Sequence, residues 1–176
     1  MRTIAEVAAR SRRSFLFVPG SGLEMFPKAL AAGPDIICVD LEDAIAPADK
    51  ANARRATLKL FNQLPENPQD CELLVRVNSL RTAEGLADIL AVSDASAPPP
   101  GLMLPKIKSP DEVRLLDEIL SSIDADVRLQ LIIETNEGLE ACHEIARASA
   151  RTDALLFGGA DMAAELRVEP SWEALL

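Results

Sequence analysis

Short apolar runs rich in branched residues alternate along this chain with longer stretches of helical period. The runs are Phe15–Val18, Ile36–Val39, Leu73–Val77, Leu102–Leu104, Leu129–Ile133 and Ala154–Phe157. Nearly continuous apolar runs mark strands covered on both faces, as in parallel sheets. Strand–helix units repeated at this spacing predict an α/β fold, either a doubly wound sheet or a (β/α)8 barrel. Six units fit into 176 residues. A complete barrel typically takes ~250. A barrel reading therefore gives a single domain over 1–176 that is truncated after about six β/α units. Such an arc leaves strand edges and core to be completed from elsewhere.

Local signals refine the helices. Ser109-Pro110-Asp111-Glu112 has the form of a capping box with proline at the first helical position. Val113, Leu116, Ile119 and Leu120 then fall on one helical face. Asp49 is a plausible cap for a helix from Lys50 to Leu64, which holds no internal proline or glycine. Gly33-Pro34 should end the first helix before the second strand. Pro98-Pro99-Pro100-Gly101 reads as a stiff loop into the fourth strand rather than a linker. Met1–Arg13 is rich in arginine without the apolar centre of a signal peptide, and a short leading helix is expected there.

Composition narrows the function classes. The chain is 48% hydrophobic and carries 28 acidic against 18 basic residues, a net charge of −10. Nucleic acid is not an expected partner, because binding phosphates needs a basic face. No apolar run reaches the ~18–20 residues that cross a bilayer, so no membrane partner is expected either. Cys38, Cys71 and Cys142 are odd in number and far apart, which fits a reducing compartment and a cytoplasmic location. One histidine, His143, and no paired cysteines argue against zinc and against a Ser–His–Asp triad. Gly20-Ser21-Gly22 lacks the Gly-Lys-Ser/Thr ending of a phosphate loop and reads as a tight turn.

The chemistry collects just past the strands. There stand Pro19-Gly20-Ser21, Asp40-Leu41-Glu42-Asp43, Arg76 with Asn78, Pro105-Lys106, Glu134-Thr135-Asn136 and Gly158-Gly159-Ala160-Asp161. In parallel α/β folds these ends converge on one face. Facing carboxylates raise one another's pKa or recruit a cation. Hard oxygen ligands without Cys or His point to Mg²⁺. Arg76 either clamps a substrate oxyanion or forms a structural salt bridge to Asp40 or Glu42. Lys106 adds positive field. As a Schiff-base nucleophile it is disfavoured, because carboxylates keep a neighbouring lysine protonated.

These motifs resemble the citrate lyase β-subunit-like branch of the HpcH/HpaI aldolase family. The resemblance rests on Arg13–Gly20, on Val39–Pro47 with Lys50, and on Val75–Asn78. It continues through Leu104-Pro105-Lys106, Ile133-Glu134-Thr135 and Phe157–Leu166, all in the family's order. Met162 and Glu165 depart mildly from the usual Leu and Asp. The resemblance implies a (β/α)8 barrel, an oligomer (trimer or hexamer), and Mg²⁺ held by Glu134 and Asp161. It implies that Arg76 acts on the substrate's carboxylate or enolate oxygen, while Glu42 and Asp43 order water around the metal. It places Phe17, Pro19, Lys106, Gly159 and Ala160 against substrate, and makes Arg13 and Lys28 candidates for the phosphates of coenzyme A.

The implied activity is a carbon–carbon lyase that cleaves or forms a 3-hydroxyacyl-CoA thioester such as malyl-CoA, citramalyl-CoA or a citryl thioester. The partners are then a CoA thioester and a small oxo acid. The family continues past Leu176 with two further strand–helix units and a lid. Two other readings are a truncated, non-catalytic barrel subunit acting in assembly or binding, and a 2-oxo acid aldolase that dispenses with CoA.

Overall fold

A computed structural model of the chain describes residues 11–64, 71–123 and 126–171. The expected leading helix lies almost wholly outside them. Six strands form one sheet: β1 (Phe15–Pro19), β2 (Ile36–Asp40), β3 (Glu72–Arg76), β4 (Gly101–Leu104), β5 (Arg128–Ile133) and β6 (Thr152–Phe157). Between and after them run α1 (Phe26–Ala31), α2 (Lys50–Phe61), α3 (Ala83–Ser93), α4 (Pro110–Ser121), α5 (Asn136–Glu140), α6 (Cys142–Ala146) and α7 (Gly159–Leu166).

All neighbouring strands are parallel, and their order in the sheet is their order in the chain. A doubly wound sheet reverses direction at a switch point, and this one does not. The topology is that of six consecutive units of a β/α barrel. The arc also curls: Arg12, just before β1, reaches Asp153 of β6 at 3.4 Å.

The strand alternation separates two apolar layers. Ile37, Val39, Val75, Leu102, Leu104, Leu129 and Leu131 face outward and pack with Val113, Leu116 and Leu120 of α4 and Ile89 and Val92 of α3. The helical face read from the sequence of α4 is therefore its buried face. Ile36, Cys38, Leu74, Met103 and Ile132 form a smaller inner layer with Phe15 and Leu156. Both faces of the central strands are thus buried, which is why their sequences lack polar alternation.

Several local expectations differ from the structure, and Asp49, for one, precedes α2 without a side-chain capping bond. Ser109 starts α4 in extended conformation, but its hydroxyl donates toward Glu112 at 3.5 Å instead of capping the helix. Glu112 is engaged by Arg81, which removes it from the box. The second helix stops at Phe61, short of Leu64, because the chain turns there on bonds such as Gln63 N–H to Leu60 O, 2.9 Å. Gly33 does end the first helical segment, at φ +64°, a conformation that favours glycine. No helix among the described residues is long and apolar enough to cross a membrane.

Candidate active site at the carboxyl end of the sheet

The strands deliver five carboxylates and two cations to one end of the inner face. Asp40 is the last residue of β2 and is 2% exposed. It accepts a fork from Arg76, the last residue of β3: Nε to Oδ1 at 2.8 Å and Nη2 to Oδ2 at 2.7 Å. It also accepts the N–H groups of Glu42 (2.8 Å) and Ala44 (3.1 Å). Burial pushes the Asp40 carboxyl up, but Arg76 and the two amides outweigh it, and its pKa lies below the ordinary value. The structural salt bridge considered for Arg76 is therefore formed, with Asp40.

That bridge leaves one corner of the guanidinium. Nη1 lies 3.3 Å from Glu42 Oε2 and 3.8 Å from Asp43, and no hydrogen bond to it is formed among the described residues. Glu42 Oε2 is itself buried without a hydrogen bond, ion-pair distance to Nη1 notwithstanding. Phe17, half exposed, lays its ring 4.9 Å from the Arg76 carbon and fixes the plane of the fork. Pro19 follows on the same strand, paired with Asp40.

Lys106 joins the two halves of the site. Its φ is +55°, a left-handed conformation unusual for a lysine. The turn sends its N–H to Glu134 Oε1 (2.8 Å) and its ammonium to Glu42 (2.7 Å). Asp161 lies 3.9 Å from the same ammonium. Burial lowers the Lys106 pKa, but Glu42 outweighs it and the net shift is upward. The ammonium stays protonated, which speaks against the Schiff-base role. Glu42 moves above its ordinary value because burial exceeds the help of Lys106.

Glu134 follows β5 and is 4% exposed. Burial pushes its pKa up, the Lys106 N–H draws it down, and the adjacent carboxylate of Asp161 pushes it up again, to about 7. Its Oε2 packs over Gly158, where a Cβ would stand only 2.4 Å away. Asp161 sits in the first turn of α7, behind Gly159 and Ala160, whose N–H groups begin a helix and lack intrahelical partners. Two converging carboxylates, one buried and one half exposed, suit a hard divalent cation that keeps water for the remaining positions. Glu134 and Asp161 could hold it. Among the described residues no group of three or more His, Cys, Asp or Glu could hold a metal, so protein alone would not fill its shell.

Some expected residues are elsewhere. Arg13 precedes β1 and forks onto Asp35 at the amino end of the sheet (3.1 and 3.2 Å), so the structure does not bring it to this face. Lys28 is exposed on α1, outside the side-chain cluster. Thr135 caps α5, accepting from Gly138 N–H at 3.0 Å. Asn78 turns away from the site to Lys50 and Asp88. The fork on Arg76 and the links through Asp88 and Arg54 join residues more than thirty positions apart, and no local motif signals them.

The family model for HpcH/HpaI aldolase/citrate lyase matches residues 13–174. The L-malyl-CoA/beta-methylmalyl-CoA lyase of Rhodobacter capsulatus is 34% identical over 172 residues, 94% of this chain and 54% of that protein. Citrate lyase subunit beta of Haemophilus influenzae is 32% identical, over 93% of this chain and 57% of that one. The chain thus spans about half the length of the curated relatives it matches. The citrate lyase beta subunit of M. tuberculosis, solved with oxaloacetate and magnesium, superposes with a TM-score of 0.68 at 30% identity, over 90% of this chain and 64% of that one. With the match running through every strand that supplies the site, the chain belongs to the HpcH/HpaI aldolase/citrate lyase family.

Proposed function

We propose that this chain carries the metal and oxo-acid end of a Mg²⁺-dependent carbon–carbon lyase acting on 3-hydroxyacyl-CoA thioesters. The observation that carries the reading is the Glu134–Asp161 carboxylate pair, linked through Lys106 and Glu42 to the Nη1 corner of Arg76. The malyl-CoA lyase and citrate lyase relatives, and the magnesium and oxaloacetate in the M. tuberculosis structure, support the same chemistry.

Glu134 and Asp161 would hold Mg²⁺, which supplies Lewis-acid polarisation of substrate oxygens. Arg76 offers the two N–H donors of Nη1 to a carboxylate or to the oxygen on which enolate charge develops. The fork on Asp40 and the ring of Phe17 hold that corner in place before substrate arrives, so little reorganisation is needed. Lys106 keeps positive charge between Glu42 and Asp161. Glu42 and Asp43 are placed to order water beside the ion. The N–H groups of Gly159 and Ala160 cradle the carboxylate of the oxo acid. The assembly that the family resemblance implies is a homo-oligomer, a trimer or hexamer.

The test is turnover by the full-length protein of malyl-CoA and citramalyl-CoA, read as release of acyl-CoA and oxo acid. Chelation should abolish it and Mg²⁺ should restore it. Turnover that survives chelation overturns the metal reading. Equal turnover of the free acids without CoA would instead favour the 2-oxo acid aldolase.

A further inference from the structure

We propose that Lys50 is a positioning residue for this reaction, acting through the peptide groups of the acidic loop after β2. The inference rests on the lyase reading of the site. Its object is the loop 41–45, which carries Glu42 and Asp43.

The loop is held from two opposite sides. The N–H groups of Glu42 and Ala44 point to the Asp40 carboxylate. The carbonyls of Leu41 and Glu42 point the other way, to the ammonium of Lys50 at 2.8 and 2.5 Å. The third N–H of that ammonium meets Asn78 Oδ1 at 2.6 Å. All three donors are used. The orientation of Asn78 is set in turn, because its amide nitrogen donates to Leu41 O (3.0 Å) and to Asp88 (2.7 Å). Asp88, 1% exposed, also takes the N–H of Asn78 (2.8 Å) and Nε of Arg54 (2.6 Å). A buried chain of polar groups thus runs from α2 and α3 to the back of the loop.

The apolar anchors of the loop are separate. Leu41 and Ile45 are buried, 3% and 4% exposed, and keep the segment on the core whatever Lys50 does. Lys50 decides something finer, the rotation of the peptide groups on either side of the Glu42 Cα. That rotation aims the Glu42 side chain between Lys106 and the free corner of Arg76. A point charge with three rotatable donors suits three converging acceptors, and a flat guanidinium fork does not. A displacement of roughly 1 Å in a reacting geometry costs about 100-fold in rate.

The experiment uses the full-length protein with Lys50→Met, Lys50→Arg, Glu42→Gln and the double variant Lys50→Met/Glu42→Gln. Amide exchange at Glu42, Ala44 and Ile45 should quicken about 10-fold in Lys50→Met while the amides of β2 and β3 keep their protection. Turnover of the CoA ester should fall about 100-fold with KM little changed. Lys50→Arg keeps the charge and guards against a folding failure of the methionine variant, and it should not restore turnover. The double variant should be no slower than Glu42→Gln alone, because both act through one carboxylate. Additive losses, unchanged exchange in the loop, or full rescue by arginine would overturn the proposal. A wild-type protein without lyase turnover would overturn the lyase reading instead, and the exchange experiment would then decide the role of Lys50 in the loop by itself.

Discussion

At the amino end of the inner face, Arg12 and Arg128 meet Glu72 and Asp153, and all four carboxylate oxygens accept hydrogen bonds. Gln130 adds a further donor to Glu72 at 2.8 Å. At the carboxyl end, among the described residues, Asp40, Glu42, Asp43, Glu134 and Asp161 face only the cations Arg76 and Lys106. One oxygen of Glu42 is unbonded there, two carboxylates oppose each other, and Lys106 has a left-handed backbone. The residue types are the same and the bookkeeping differs. A network whose charges and hydrogen bonds close on themselves fixes shape and has nothing left for a ligand. An unbalanced one retains the capacity to take up a cation and an anion, and the protein tolerates its strain for that reason.

The largest effect should come from removing half of the carboxylate pair. Glu134→Gln should lower Mg²⁺-dependent turnover about 1000-fold, the equivalent of about 4 kcal/mol in the barrier. Mg²⁺ affinity should fall with it, as calorimetric titration would read. The melting temperature of the metal-free protein should not fall, because the substitution removes a like-charge contact. Full turnover by the variant would sink the assignment of Glu134 as a ligand.

Glu72→Gln reverses that pattern. It leaves Arg12 facing a neutral partner in a closed network, where breaking a buried pair costs about 3–5 kcal/mol. Arg12 is 27% exposed, so solvent screening brings the expectation down to about 2 kcal/mol. Denaturant unfolding should show that loss while Mg²⁺ affinity stays the same. Equal metal sensitivity at Glu72 and Glu134 would remove the distinction between the two ends.

The sequence made one of these ends legible and concealed the other. All six strands could be found because burial on both faces leaves long apolar runs. Most of the carboxyl-end residues could be found because each lies at or shortly past the end of a strand. The amino-end network was missed because its members look like ordinary strand margins. β3 begins at Glu72 and β6 at Thr152, earlier than the apolar pattern places them, since Glu72 and Asp153 are polar for the sake of Arg12 and Arg128. The sequence leaves two carboxylates as partners of Arg76, and the pairing of the ends of β2 and β3, Asp40 beside Arg76, gives Asp40 the fork and Glu42 the looser ion pair. Sequence position does not say at which end of a strand a charge will find its partner, so no local signal shows that Arg13, a candidate for the phosphates by resemblance, pairs with Asp35. Ser109 and Glu112 make a capping pattern, yet Arg81, 31 residues away, takes the glutamate.

A smaller prediction isolates strain at the carboxyl end. Lys106→Ala and Lys106→Gly both delete the ammonium and its contact with Glu42. They differ in the backbone, which at φ +55° penalises any side chain. The glycine variant should be the more stable by about 1 kcal/mol, measured by denaturant unfolding. Equal stability would mean that the turn relaxes once the ion pair is gone, and that Glu42 rather than the Glu134 contact imposes it.

The smallest effect belongs to the amino end, at Asp35. This carboxylate accepts from the Arg13 guanidinium, the N–H of Arg13 and the N–H of Ser14, and these hold its pKa at about 2 against an ordinary 3.8. A depressed pKa means that the folded state binds the proton less well than the unfolded chain. The contribution is therefore complete above about pH 3.8 and is lost as pH falls through 2. It should be modest, because Arg13 is 81% exposed and solvent screens the pair. Comparing Asp35→Asn with wild type by unfolding between pH 2 and pH 6 should show two curves that lie apart at the upper end and converge at the lower end. A gap that persists at the acid end would show that the backbone amides of Arg13 and Ser14 value the shape of the acceptor more than its charge. The Asp35 contacts at the amino end would then be held by hydrogen-bond geometry, while the open carboxyl end remains a matter of charge.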